Sequence, residues 1–191
     1  HATLERASAP SEVVRTVSVL AAERAPEGRG IAVLSTGAWT PKRPMGARFG
    51  TLVHAVLAEV PFDASRELID AVTRAQGKLL GAPDPEQLAA MDAVARAVVH
   101  PLFDRAHQAD EHRREVPIFE RLADGTLVEG VVDLAFRETN AFGKATWVVV
   151  DYKTDLDAAG AHDTYIVQVE TYARAIESAT GMQAEGILLG V

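Results

Sequence analysis

The sequence predicts a mixed α/β sandwich, and three observations predict it. Apolar residues recur at helical spacing from Phe49 to about Gln108. An Asp124-Gly125 dipeptide then sits between two extended runs, which is a strong hairpin signal. Finally, Trp147-Val148-Val149-Val150 is the unbroken apolar run of a central strand covered on both faces, and one further helical pattern and one further strand pattern follow it. Helices, hairpin, strand, helix and strand in that order fit a central mixed sheet flanked by helices.

Each element has its own signals. Ser11 to Glu23 has helical spacing through Val13, Val14, Val17 and Leu20, with Ser11 placed as an N-cap. Pro26 to Gly30 breaks it, and Ile31 to Leu34 suits a short strand. Pro41 to Gly46 is a Pro/Gly-rich loop carrying Lys42 and Arg43, with Arg48 just beyond. Residues 1–48 are therefore expected to be a partly helical N-terminal extension or a linker from a preceding domain, and residues 49–191 the main domain. Leu52, Val53, Val56, Leu57 and Val60 mark its first amphipathic helix. A second helix is expected from Ser65 to Leu80, with Leu68, Ile69 and Val72 on its apolar face. After a loop from Gly81 to Pro85, a third helix runs from Pro85 toward Gln108, kinked near Pro101. Glu115 to Arg121 and Thr126 to Arg137 are the hairpin strands, and Thr146 to Lys153 the central one. A helix from Thr164 to Thr180, stopped by Gly181, and a strand from Ala184 to Leu189 complete the pattern.

Composition narrows the function classes. A chain of 191 residues, 48% hydrophobic and 24% charged, is long enough for one domain with a sizeable core. No apolar run reaches the ~20 residues that span a bilayer, and no signal peptide opens the sequence, so no membrane association is expected. The absence of cysteine excludes disulfides, thiolate zinc sites and cysteine-ligated iron–sulfur clusters, and fits a reducing cytoplasm. A net charge of −8 argues against a free-standing DNA binder, because such affinity comes mainly from cations meeting phosphates. It argues less strongly against a domain to which a neighbour delivers DNA. The start at His1 and the stop within the strand-like Gly186 to Val191 lead us to expect a piece of a longer protein.

Four groups of residues are candidates for chemistry. Asp151 and Lys153 end the apolar strand and share one face by alternation. A carboxylate there can hold Mg²⁺, and an amine can orient water or meet charge developing on phosphate. The plain alternative is a salt bridge where the strand reaches solvent. Asp133, in Glu129-Gly130-Val131-Val132-Asp133, lies on the preceding strand and can come beside Asp151, where two acids repel unless a cation lies between them. An exposed edge carboxylate is the alternative. Gly130 offers close approach or a bulge. His54 sits within a helix as a possible metal ligand or a structural histidine. Gln168 and Tyr172 stand one turn apart on an apolar stripe, where Gln168 needs a partner, in the core or in a site.

Together and in this order, these residues resemble the RecB/AddA-type branch of the PD-(D/E)XK nucleases. Gly50-Thr51-Leu52-Val53-His54 fits its G-x-x-x-H helix, and Gly130-Val131-Val132-Asp133 its G-x-x-D strand. Asp151-Tyr152-Lys153-Thr154 fits D-Y-K-T, and Gln168-Val169-Glu170-Thr171-Tyr172 fits Q-x-x-x-Y. The resemblance implies a restriction-endonuclease-like core and a Mg²⁺-dependent deoxyribonuclease, with Mn²⁺ as an alternative ion. It implies His54, Asp133, Asp151 and the Tyr152 carbonyl as metal ligands. Lys153 would position or activate water, and Gln168 and Tyr172 would brace the site and contact the DNA backbone. Some relatives have a further acidic ligand, for which Glu67, Asp70 and Glu115 are equal candidates here. Val132-Asp133 stands where the family name has Pro-Asp, and the lack of cysteines points to this branch and away from cluster-containing ones. The implied setting is DNA end processing, recombination or repair. The implied partners are DNA, a helicase domain of the same longer chain and a second helicase–nuclease subunit. The alternative is a catalytically inactive nuclease-like module that binds DNA or a protein partner.

Overall fold

The computed structural model describes residues 13–37, 43–156 and 162–191. Within them one sheet contains β1 (Val14–Thr16), β2 (Ala32–Ser35), β3 (Glu111–Arg121), β4 (Leu127–Thr139), β5 (Ala145–Lys153) and β6 (Ala184–Gly190). The helices are α1 (Val17–Ala21), α2 (Ala47–Glu59), α3 (Arg66–Leu80), α4 (Asp84–Val98), α5 (Pro101–Gln108) and α6 (His162–Thr180).

The long strand β4 organises the sheet. One edge pairs antiparallel with β3, from Glu111 opposite Arg137 to Arg121 opposite Leu127. The turn between them matches its sequence signal: Gly125 has φ +87°, and the Asp124 side chain accepts the Thr126 amide at 2.9 Å. The other edge of β4 is shared. β1 lies parallel along Leu127 to Glu129, and β5 lies antiparallel along Leu134 to Thr139. Residues 130–133 fall between these two partners, and the candidate acid Asp133 is among them. β5 continues the sheet in parallel with β6, and β6 with β2.

Alternation along β5 feeds two apolar layers. Val148, Val150 and Tyr152 join Phe49, Leu52, Val53, Val56 and Leu57 of α2, together with residues of α4 and α5, on one face. Trp147 and Val149 join Tyr172, Ala173 and Ile176 of α6, with Val17 and Leu20 of α1, on the other. This is the mixed α/β sandwich that the sequence predicts. Full burial of an apolar side chain such as Leu52 or Leu57 stabilises by ~1.5–3 kcal/mol, so α2 is held by its core face far more than by helix propensity.

Two segments differ from the sequence expectation. The helix expected from Ser11 to Glu23 is a strand followed by a five-residue helix, with Thr16 as its N-cap accepting the Val19 amide at 3.3 Å. Ser11 lies outside the described residues. β-Branched Val13, Val14 and Thr16 favour extended backbone, and the open edge of β4 supplies the pairing that helix bonds would otherwise give. The stretch before Phe49, expected as an extension or linker, thus carries β1 and β2 of the central sheet; Lys42 of its expected loop lies outside the described residues. It is clamped further by Glu170 of α6, which is 1% exposed and accepts the amides of Glu27 at 2.8 Å and Arg29 at 2.9 Å. The helix expected from Pro85 to Gln108 is not kinked but interrupted. His100 is extended (ψ 139°) and caps α5 by accepting the Leu102 amide at 3.2 Å. Pro101 has no amide to offer and disfavours helical backbone at the residue before it, so it starts a new helix.

Candidate active site

The shared edge of β4 makes the site. The β4–β5 ladder ends at Leu134 opposite Val150, so Asp133 and Asp151 face each other where the strands part. The Tyr152 amide, next along β5, donates to Oδ2 of Asp133 at 2.6 Å, so a carboxylate takes the place of a ladder carbonyl. His54 reaches in from α2, with Nδ1 2.9 Å from Oδ1 of Asp133. In the tautomer that donates from Nδ1, Nε2 keeps the free lone pair. The approach of α2 depends on Gly50, where an added Cβ would stand 3.3 Å from Oγ1 of Thr154.

Asp151 is 2% exposed, and Nζ of Lys153 lies 2.6 Å from its Oδ2. The contact has the distance of an ion pair but not the direction of a hydrogen bond, so Oδ2 is buried with no donor among the described residues aimed at it. The Lys153 ammonium also stands 4.8 Å from the centre of the Tyr165 ring. Burial, reinforced by the charge of Asp133 and opposed by Lys153 and His54, pushes the Asp151 carboxyl up to about 6. Burial works against the imidazolium of His54, but the hydrogen bond and charge of Asp133, with the charge of Asp151, outweigh it and raise its pKa above the usual value. Asp133 thus disfavours ionisation of Asp151, while the imidazole and ammonium partly compensate.

Gln168 and Tyr172 close the opposite wall. The Gln168 amide donates to the Tyr172 hydroxyl at 2.9 Å, so its expected partner is the other member of its own motif. The Tyr172 ring packs on Gly130, where a Cβ would lie 2.8 Å from both Cε1 of Tyr172 and Cγ2 of Val17. Burial above all, then the charges of Asp151 and Asp133, raise the pKa of the Tyr172 hydroxyl. The Tyr152 side chain points away into the core, stacked on Phe103 with centroids 6.0 Å apart.

Of the three unplaced acids, the fold brings only Glu115 to this region. It lies opposite Asp133 at the one unpaired step of the β3–β4 register, and its carboxyl is raised first by burial and then by the charge of Asp133. It has φ +50°, a left-handed backbone rare for such a residue. Asp70 instead pairs with Arg74 along α3 at 2.8 Å, and Glu67 sits in the first turn of that helix. The sequence reading missed Arg114, which donates to the carbonyls of Leu57 (2.8 Å) and Val60 at the end of α2 and lies 4.1 Å over the Phe62 ring. It ties the helix bearing His54 to β3. Nothing in the letters separates it from Arg113, which pairs with Glu111 at the surface.

Among the described residues, no three acidic or histidine side chains form a ready-made coordination shell. The donor chemistry nevertheless fits a hard divalent ion: two facing carboxylates, an imidazole, and a buried carboxylate oxygen without a directed donor. Clefts of about 400 and 560 Å³ lie toward the other end of β5, around Glu138, Lys144 and Glu185, away from these groups.

The profile of the PD-(D/E)XK nuclease superfamily matches residues 30–190. An ATP-dependent helicase/nuclease subunit of Acetivibrio thermocellus is 32% identical over 163 residues, covering 73% of this chain and 12% of its own length. Proteins of the same name from Heliobacterium modesticaldum and Staphylococcus haemolyticus are 29% and 25% identical, covering 50% and 77% of this chain. The chain therefore spans between 8% and 14% of the length of these three relatives.

Proposed function

This chain belongs to the PD-(D/E)XK nuclease superfamily, and we propose that it is a metal-dependent deoxyribonuclease domain that works beside a helicase motor in DNA end processing, recombination or repair. Its mixed sheet flanked by helices is the restriction-endonuclease-like core of that family. The observation that supports the chemistry best is the meeting of Asp133, Asp151, His54 and Lys153 at the point where β4 and β5 part. Structural carboxylates would more economically be placed apart, since Asp133 here raises the cost of ionising Asp151.

In this reading His54, Asp133, Asp151 and the Tyr152 carbonyl hold Mg²⁺ or Mn²⁺, with Glu115 next to them. When bound, such an ion supplies Lewis-acid stabilisation of phosphate charge and a more acidic water. The chain's own groups do the rest. The Tyr152 amide and the His54 imidazole fix the Asp133 carboxylate, so its remaining lone pairs point in set directions. Lys153, held by Asp151 and the Tyr165 ring, brings an ammonium to the scissile phosphate and orients the attacking water. Water oxygen bonds to phosphorus and gives up a proton to solvent as the bond to the 3′ oxygen breaks, and that oxygen takes a proton from solvent, leaving a 3′ hydroxyl and a 5′ phosphate. Gln168 and Tyr172 brace that wall and meet the DNA backbone. The names of the relatives support a helicase motor in the same longer chain, with a second helicase–nuclease subunit as a further partner. Among the described residues no helix is long and apolar enough to cross a membrane, and a chain without cysteine suits the cytoplasm.

End-labelled single- and double-stranded oligonucleotides incubated with Mg²⁺ or with EDTA test this. Product is expected only with the metal, and Asp151→Ala or Lys153→Ala should abolish it while the circular dichroism spectrum persists. A wild-type chain that yields no metal-dependent product would identify an inactive nuclease-like module instead.

A further inference from the structure

Most arginines of this acidic chain have a carboxylate partner, as in Arg48–Glu86, Arg105–Glu138 and Arg174–Glu120. Arg43, which is half-buried, and Arg96, which is exposed, differ from these in standing side by side. Neither has a carboxylate partner among the described residues, and both line one cleft with Lys153 and Thr154. Nε and Nη2 of Arg43 are buried without an acceptor among those residues. The Arg43 guanidinium lies 5.0 Å from the Phe49 ring centre, and its pKa is lowered first by burial and then by the charge of Arg96. Ser35, Thr36, Gly37, Leu156, Gly190 and Val191 complete the lining, and no acidic side chain of the described residues takes part. The cleft measures about 40 Å³ and is open to solvent on one side.

The unpaired N–H groups of Arg43 away from water carry a desolvation penalty that an oxyanion would remove, and its charge and that of the exposed Arg96 repel unless an anion lies between them. Planar guanidinium suits a phosphate with two parallel hydrogen bonds. The cleft opens beside the strand end that carries Lys153, so an anion there and one at Lys153 lie along one short path.

We propose that Arg43 and Arg96 form a phosphate-holding subsite for the DNA strand, seating the backbone phosphate next to the one that Lys153 addresses. This rests on the nuclease reading of Lys153. The two arginines are positioning residues: they touch the strand and set its register at the acids without meeting the bond that breaks. The subsite also answers the problem posed by a net charge of −8, because the cations that matter are local and left unpaired.

The test is anisotropy of a fluorescent single-stranded oligonucleotide in EDTA, where no cleavage interferes, titrated at several salt concentrations. Arg43→Gln and Arg96→Gln should each weaken binding about tenfold and lower the salt slope by about 0.7, the value for one lost single-strand phosphate contact. Arg24→Gln, an exposed cation outside that cleft, controls for net charge alone and should leave both unchanged. Thermal melts establish that the variants are folded. A competitor series with inorganic phosphate at constant ionic strength separates the sources: phosphate that stabilises the wild type while the arginine variants keep the oligonucleotide slope would assign the cleft to free phosphate and overturn the proposal. Unchanged affinity and slope in both variants, or no oligonucleotide binding by the wild type, would overturn it too. Loss of cleavage in the wild type with the arginine dependence intact would instead sink the nuclease reading and leave the subsite standing.

Discussion

Replacing Asp151 by Asn should make the metal-free fold more stable while ending cleavage. The side chain is 2% exposed and its carboxyl is held up from 3.8 to about 6, chiefly by burial. At about 1.4 kcal/mol for each power of ten, ionising it inside the fold at about pH 8 costs ~3 kcal/mol more than ionising it in the unfolded chain. The folded-state value lies above the unfolded one, so wild-type stability is greatest below about pH 4 as far as this group is concerned and falls as pH rises toward about 6. Asparagine stays neutral throughout. Lys153 loses its partner in this variant, but its side chain is 15% exposed and can turn to water, which trims the gain without reversing it. Urea unfolding in EDTA at pH 5 and pH 8 measures both proteins. The variant should exceed the wild type by ~1–3 kcal/mol at the higher pH and by about half as much at the lower, which lies inside the titration window. Saturating Mg²⁺ should restore the wild type, because an ion that binds only the folded form adds about 2.7 kcal/mol at a hundred times its Kd. A variant less stable than the wild type in EDTA at pH 8 would refute the claim that burial and Asp133 dominate the environment of Asp151.

Three further outcomes are expected. Gly130→Ala would place a Cβ 2.8 Å from the Tyr172 ring and Val17, so it should cost ~1–3 kcal/mol in urea and cut activity by shifting Tyr172 off the wall of the site. Arg114→Met keeps bulk over Phe62 but removes the donors to the Leu57 and Val60 carbonyls; a loss of ~1–3 kcal/mol, with weakened metal binding by calorimetry because His54 rides on the same helix, is the expected pair of results. Glu115→Gly relieves a φ of +50° and removes a charge beside Asp133, so stability in EDTA should rise by about 1 kcal/mol while cleavage falls.

The sequence exposes those parts of the fold that depend on neighbours in the chain. Ser65 caps α3 by accepting the Leu68 amide at 3.3 Å, Gly81 ends it with φ +62°, and Asp124-Gly125 turns the hairpin; each is a local rule acting locally. Asp151 and Lys153 share a strand face for the same reason. What escapes is long-range. Val14 pairs with Leu127, so β1 has no signal until its partner is in place, whereas β2, paired through Ala32 with Ile187, matches the short strand expected over Ile31 to Leu34. Glu170 looks like a solvated position on an amphipathic helix, yet it is buried because the amides of Glu27 and Arg29 meet it there. The meeting of His54 with Asp133 follows from no periodicity, and only the order of the four motifs anticipates it.

The same non-local pairing explains why chemistry can sit at this place. A strand that kept one partner along its whole edge would use every amide and carbonyl facing that edge in the ladder, leaving no room for a side chain between strands. Here β1 takes the first part of the β4 edge and β5 the last, and neither pairs with residues 130–133. The gap is narrow enough that the Tyr152 amide still needs an acceptor, and Asp133 provides it. That donor makes a buried carboxylate tolerable there, whereas Asp151, across the gap, has no donor among the described residues directed at its Oδ2. One acid is fixed by the backbone and the other is held by an ammonium on a long side chain. A divalent cation would find its first ligand already oriented and its second still without a directed hydrogen bond. The strain of that asymmetry falls on Asp151, so stability and catalysis pull that residue in opposite directions.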